Sequence, residues 1–131
     1  MTGNKIDDFN NNAPEIFKDL ITDFGYELKE VRTRYLNDNK WSAHHQYLNH
    51  KLNLEIKISQ EPYYTDYGLS IFISNLKNKQ EVILLNYPHE LQGESGEFLK
   101  LAKENLFKNK ECLDLIKGLN WEVYNRILIK F

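Results

Sequence analysis

Cysteine is almost missing from this chain, and that scarcity and others bound it before any pattern is read. The single Cys112 cannot close an internal disulfide or supply a cysteine cluster for zinc, which fits a reducing compartment. Three prolines and six glycines are too few for a low-complexity segment or a Pro/Gly-rich linker. No apolar run approaches the roughly 20 residues that span a bilayer. The start, Met1-Thr2-Gly3-Asn4-Lys5-Ile6-Asp7-Asp8, lacks the apolar stretch of a secretory signal, so a cytoplasmic protein without membrane insertion is expected. Cations are not in surplus either: 17 Lys and Arg stand against 19 Asp and Glu. Nothing is left over to neutralise phosphates along a duplex, which argues against nucleic acid as the principal partner.

What is present is enough for one core. The 131 residues are 41% hydrophobic and 27% charged, which suits a single domain over 1–131. Its organising stretch is Lys51 to Ser59. There Leu52, Leu54, Ile56 and Ile58 alternate with Lys51, Asn53, Glu55, Lys57 and Ser59, the period of a strand with one buried face.

Residues 1–12 read as a mobile lead-in, with Ile6 and Phe9 touching the body, before a helix capped by Asn12, with Pro14 in its first turn and Ile16, Phe17, Leu20, Ile21 and Phe24 at helical spacing before Gly25. Tyr26 to Tyr35 reads as a strand whose parity slips, which places a bulge near Lys29 and Glu30. Asn37-Asp38-Asn39 is a turn into a second strand, Trp41 to Leu48. Folding that strand back across Leu48-Asn49-His50-Lys51 pairs Tyr47 with Leu52, His45 with Leu54, Ala43 with Ile56 and Trp41 with Ile58. On the outer face it sets His44 opposite Glu55 and Ser42 opposite Lys57.

A loop holding Glu61-Pro62-Tyr63-Tyr64 precedes a fourth strand, Tyr67 to Ser74, and a fifth, Glu81 to Tyr87. The fifth is apolar on both sides. If Ile83, Leu85 and Tyr87 face inwards, Val82 and Leu84 join Phe72 on the other face and need cover from the C-terminal segment or a second molecule. Ser95 is the expected cap of a helix with Phe98, Leu101, Ala102 and Leu106 on its apolar stripe, and Asn109 caps a short one ending at Gly118. Residues 119–131 fit a helix by Trp121, Tyr124, Leu128 and Phe131, or a strand by Ile127, Ile129 and Phe131. The pattern predicts an α+β fold: an antiparallel meander of about five strands, with an N-terminal helix and C-terminal helices packed mainly on one face.

Motifs for chemistry are sparse. Gly93-Glu94-Ser95-Gly96 lacks the Lys and Ser/Thr of a phosphate-binding loop, and its carboxylates repel an anion. His89-Glu90 has no second His at ligand spacing, and His44 and His45 point to opposite faces of a strand, so no metal or cofactor is expected. No catalytic residue is assigned. His45 points inwards and reads as a neutral core histidine, with a general base as the alternative. Cys112 reads as a small apolar residue.

Two surface features remain. Glu15, Asp19 and Asp23 fall together on a helical wheel as an acidic ridge, and Asp23 lies in a last turn where the helix dipole disfavours an anion. Tyr63 and Tyr64 are adjacent loop tyrosines, a residue type enriched at recognition surfaces.

The run from Asp23-Phe24-Gly25-Tyr26 through Tyr47-Leu48-Asn49, Leu52 to Ser59, Glu61-Pro62 and Tyr67-Gly68-Leu69 to the closing helices resembles the layout of small bacterial immunity proteins of toxin systems. The resemblance implies a non-enzymatic domain that inhibits a cognate toxin by direct binding. The expected partner-binding residues are then Glu15, Asp19, Asp23, Tyr63 and Tyr64. Two other readings stand beside it: a small-molecule binder or enzyme using the concave sheet face around Trp41, His45 and Tyr47, and an oligomerising domain joined through Phe72, Val82 and Leu84. Either a monomer or a homodimer is compatible with the pattern.

Overall fold

A computed structural model describes residues 2–61, 68–88, 97–122 and 129–130. The fold is α+β. Helices α1 (Thr2–Ile16) and α2 (Asp19–Thr22) precede five strands, β1 (Glu27–Leu36), β2 (Asn39–Asn49), β3 (Leu54–Gln60), β4 (Leu69–Asn75) and β5 (Gln80–Tyr87). Helices α3 (Glu97–Lys108) and α4 (Lys110–Ile116) follow, and β6 (Ile129–Lys130) closes the order. Strands β1 to β5 form an antiparallel meander, each beside its sequence neighbour, and β6 adds parallel to β5 at Leu85 and Asn86. Among the described residues no helix is long and apolar enough to cross a membrane.

The expected lead-in is helix instead. α1 runs unbroken through Asn12, and Ile6, Phe9 and Ala13 are fully buried against the sheet. Its repeat of Ile6, Phe9, Ala13 and Phe17 has helical spacing, but the intervening asparagines conceal it, since Asn favours caps and turns in isolation. Pro14 sits inside α1, close to its end, rather than in a first turn. The chain then turns at Phe17 and Lys18, so the expected single helix is two, with Phe17 and Leu20 buried but Ile21 exposed.

The bulge at Lys29 is present, between the pairs Leu28↔Tyr47 and Glu30↔Gln46. Asn37 and Asp38 both adopt positive φ, 51° and 68°, making the two-residue turn that suits the right-handed twist of a hairpin. The β2–β3 pairing differs from expectation by four residues: Tyr47 faces Ile56, His45 faces Ile58 and His44 faces Ser59. The cause is the turn. Asn49 stays in the strand and its side chain closes the reversal, accepting from Leu52 N at 3.0 Å and donating to Phe24 O at 3.0 Å. Leu52 therefore lies in the turn and is exposed, not in the core, and Asn53 takes positive φ before β3 begins. Trp41 is not opposite Ile58 either, since His45 takes that place; it is the extra residue where β1 passes from Arg34↔Ser42 to Tyr35↔Lys40.

Strand β5 resolves its two apolar faces with a second kind of bulge. Ile71 pairs with Leu85 but Phe72 with Ile83, so Leu84 is inserted and the parity changes. Val82 thereby faces the same side as Ile73, and Val82, Leu84, Leu85 and Tyr87 are all buried. The expected outer patch of Phe72, Val82 and Leu84 does not form.

Helices α1 to α4 lie towards the face carrying Leu54, Ile56, Ile58, Leu69, Ile71 and Ile73. In α3 it is Leu99, with Phe98, Ala102 and Leu106, that is buried, while Leu101 is exposed. Asn109 caps α4 as expected, its Oδ1 accepting from Cys112 N at 2.9 Å. Gly118, at φ 84°, ends it, and Leu119 N reaches back to Asp114 O at 2.7 Å. Buried bonds tie α4 and its exit to the rest: Tyr26 Oη donates to Ile116 O at 2.7 Å and Trp121 Nε1 to Leu115 O at 3.1 Å. In the tail, Ile129–Lys130 is strand; residues 123–128 and 131, the cap at Ser95 and the glycine cluster lie outside the described residues.

Candidate functional site

The other face of the sheet is where side chains with charge collect. Strand parity sends Glu30, Arg32 and Arg34 of β1, His44 and Gln46 of β2, and Lys57 of β3 to this face. The observed register stacks them in rows: Arg32 beside His44 beside Ser59, and Glu30 beside Gln46 beside Lys57. Together they line a groove of about 360 Å³ whose floor is β2.

The floor is internally satisfied. His44 Nδ1 lies 2.9 Å from Ser59 Oγ, its Nε2 lies 3.3 Å from Ser42 Oγ, and Glu61 Oε1 is 3.5 Å away from Nε2. Gln46 donates to Glu55 Oε2 at 2.6 Å. On the wall, Arg32 pairs with Glu30 at 2.7 Å, whereas Arg34 and Lys57 make no ion pair among the described residues.

Burial lowers the pKa of His44, and the positive charges of Lys57, Arg34 and Arg32 add to it in that order. Burial also raises that of Glu61, with Arg34 opposing. The short His44–Glu61 approach is therefore not a strong ion pair: both shifts favour the neutral forms. A serine, a histidine and a glutamate in contact suggest nucleophilic chemistry, but Ser59 and Ser42 are 2% and 0% exposed, so no substrate carbonyl reaches either hydroxyl.

The sequence-derived candidates lie elsewhere. Glu15 is exposed near the end of α1 and pairs with Lys18 at 2.9 Å; Asp19 opens α2 and pairs with Lys103 of α3 at 3.0 Å. Asp23 caps the end of α2, exposed, with Thr22 Oγ1 donating to it at 3.3 Å. The turn between α1 and α2 breaks the helical wheel that aligned the three, and lysines intersperse them. Tyr63 and Tyr64 lie outside the described residues.

His45 is fully buried on the opposite face from the groove, its ring centroid 4.4 Å from that of Phe9 and its Nε2 2.9 Å from Asn10 Oδ1. Tyr47 is likewise buried, and desolvation pushes its hydroxyl up to about 12. Cys112 is buried against Leu84 O, and burial followed by Glu111 pushes its thiol up to about 12, so it is held as an unreactive thiol. Among the described residues no three His, Cys, Asp or Glu side chains are grouped to hold a metal ion.

The cationic trio Arg32, Arg34 and Lys57 went unread in the sequence, although Arg32 and Arg34 at alternate positions of one strand share a face by period alone. No family model matches the chain, and neither a curated protein nor a solved structure is significantly similar to it.

Proposed function

We propose that this chain is a non-enzymatic protein-binding domain, an immunity protein that inhibits a bacterial toxin by direct binding in the cytoplasm, and that it docks through the open face of strands β1 to β3. The observation that carries the docking surface is the division of the sheet. One face is filled by helices and buried apolar side chains, while the other presents an open, polar groove over three strands. A broad polar rim on a rigid sheet suits a protein surface better than a small molecule, which needs an enclosed and largely apolar cavity. The burial of His45 and Tyr47 leaves the concave-face reading without an accessible catalytic group. With Val82 turned inwards, the domain acts as a monomer.

The test pairs the chain with the product of an adjacent gene and measures the complex by calorimetry. Gln46→Trp, which fills the groove, should abolish binding, and Asp19→Lys, on the helical side, should not. The reverse result would return the site to the acidic ridge, and binding unchanged in both would remove both surfaces. Turnover of a small molecule that is lost in His45→Ala would make the protein an enzyme instead.

A further inference from the structure

Resting on that docking reading, we infer that the groove is a carboxylate-recognition site: it receives an acidic segment of the protein partner, with Arg34 and Lys57 facing its side-chain carboxylates. The sign of the groove comes first. Three cations line it against one carboxylate, Glu30, which Arg32 already engages. Arg34 and Lys57 stay exposed and form no ion pair among the described residues; the carboxylate that Arg34 acts on, Glu61, is half-buried and faces His44.

The spacing comes second. Arg34 stands on β1 beside Ser42 and Lys57 on β3 beside Gln46, so the two are roughly 10 Å apart across the strands and, being four residues apart along β2, roughly 13 Å apart along them. An extended segment crossing the groove obliquely spans that diagonal with carboxylates about five residues apart.

The third observation concerns the floor. Both ring nitrogens of His44 are occupied by serine hydroxyls, and the Gln46 amide is tied to Glu55. A small oxyanion settling on the floor would meet no converging set of unoccupied donors, so recognition falls to the long cationic side chains at the rim. Those reach carboxylates carried on another surface. Contacts of this kind steer association and are weakened by salt.

His44 reports the event. It is faced by Arg32, Arg34 and Glu30 from β1, by Lys57 from β3 and by Glu61 just beyond β3. Burial holds its proton affinity down and the cations add to that, so carboxylates arriving beside the cations offset their share and raise it. By linkage, the affinity of the partner segment then rises as pH falls through the His44 titration.

The experiment follows the imidazole signals of His44 and His45 by NMR while a short glutamate-rich peptide is added to the full chain, with the same peptide carrying Gln for Glu as the control. The glutamate peptide should shift His44 and the amides of β1 to β3, raise the His44 pKa, and leave His45 in place. Increasing salt should weaken it, and Arg34→Gln or Lys57→Gln should each cost up to about fivefold in affinity, the range of an exposed ion pair. Equal binding of the Gln peptide, or unchanged binding in the Arg34→Gln/Lys57→Gln double variant, overturns the inference. So does inorganic phosphate at equal ionic strength that moves His44 as far as the peptide does. If Gln46→Trp abolishes partner binding while the glutamate peptide leaves His44 unmoved, the carboxylate assignment alone falls and the docking face stands.

Discussion

His45 shows how a single polar residue is made compatible with a packed interior. Asn10 Nδ2 donates to Thr33 Oγ1 at 2.9 Å, which turns the amide oxygen towards His45 and makes Nε2 the protonated nitrogen. Nδ1 is buried with no partner among the described residues, so a second proton there would find none of them to accept it. Burial, with a smaller contribution from His44, lowers the pKa from 6.5 to about 4. The unfolded chain therefore binds this proton near pH 6.5 and the folded chain only near 4. Stability is full above that upper value and falls as pH drops towards the lower one. His44 acts in the same direction, so the contribution of His45 is isolated by His45→Gln, which keeps an N–H for Asn10 and cannot titrate. Urea midpoints followed down through this range should fall less steeply in the variant, and parallel profiles would reject the assignment. A second residue-scale expectation concerns Tyr26, whose hydroxyl spans from the start of the sheet to Ile116 O. Tyr26→Phe should cost about 1–2 kcal/mol in equilibrium unfolding, because it leaves a buried carbonyl unpaired.

At the scale of elements, α1 is the part whose weight its sequence conceals. Phe9 packs with a tilted ring against His45 and is fully buried, so Phe9→Ala removes a large side chain from the contact between helix and sheet. A loss of about 3–5 kcal/mol is expected from chemical denaturation, a large share of a small domain's total stability. A change within a few tenths of a kcal/mol would mean that α1 contributes little to the fold. The strands were far more legible, because Leu54, Ile56 and Ile58 alternate openly and the parity slip at Lys29 is visible in the apolar pattern. Neighbour relations were not. Sliding β3 by four residues keeps every side chain on its own face while replacing each cross-strand partner, so Ser59 instead of Glu55 comes to lie beside His44. The choice was made by Asn49, whose side chain closes the turn through contacts 3 and 25 residues away. That distinction explains why the architecture could be read and the groove could not: a face depends on parity alone, whereas a site depends on register. Val82 shows the converse limit, since one inserted residue at Leu84 reverses parity without leaving any mark in composition.

For the whole molecule, the sheet divides the consequences of substitution by face. Ile56 is fully buried at the centre, and Ile56→Asp should prevent folding because an unpaired carboxylate would be desolvated there; Glu55→Ala, on the outer face, should leave circular dichroism unchanged. A folded Ile56→Asp protein would contradict the core assignment. The far edge gives a further expectation. Trp121 is buried, its carbonyl accepts from Gln80 Nε2 at 2.9 Å, and β6 covers part of β5. Removing residues 119–131 should uncover that strand and cause aggregation detectable by light scattering, while a soluble monomeric truncation would show that the tail protects nothing. The meander also has a consequence for the chain as it is made. Strands β2 to β5 each find their partner in the segment translated just before, so most of the sheet can assemble behind the ribosome without waiting for distant sequence. Two pieces cannot. α1 emerges before β2, the surface it will cover, exists, and β5 stays without its parallel neighbour until some forty residues more have been added. During synthesis the opening helix therefore waits with Ile6 and Phe9 uncovered, and an asparagine-rich helix suits that interval, being soluble before its docking surface has been built.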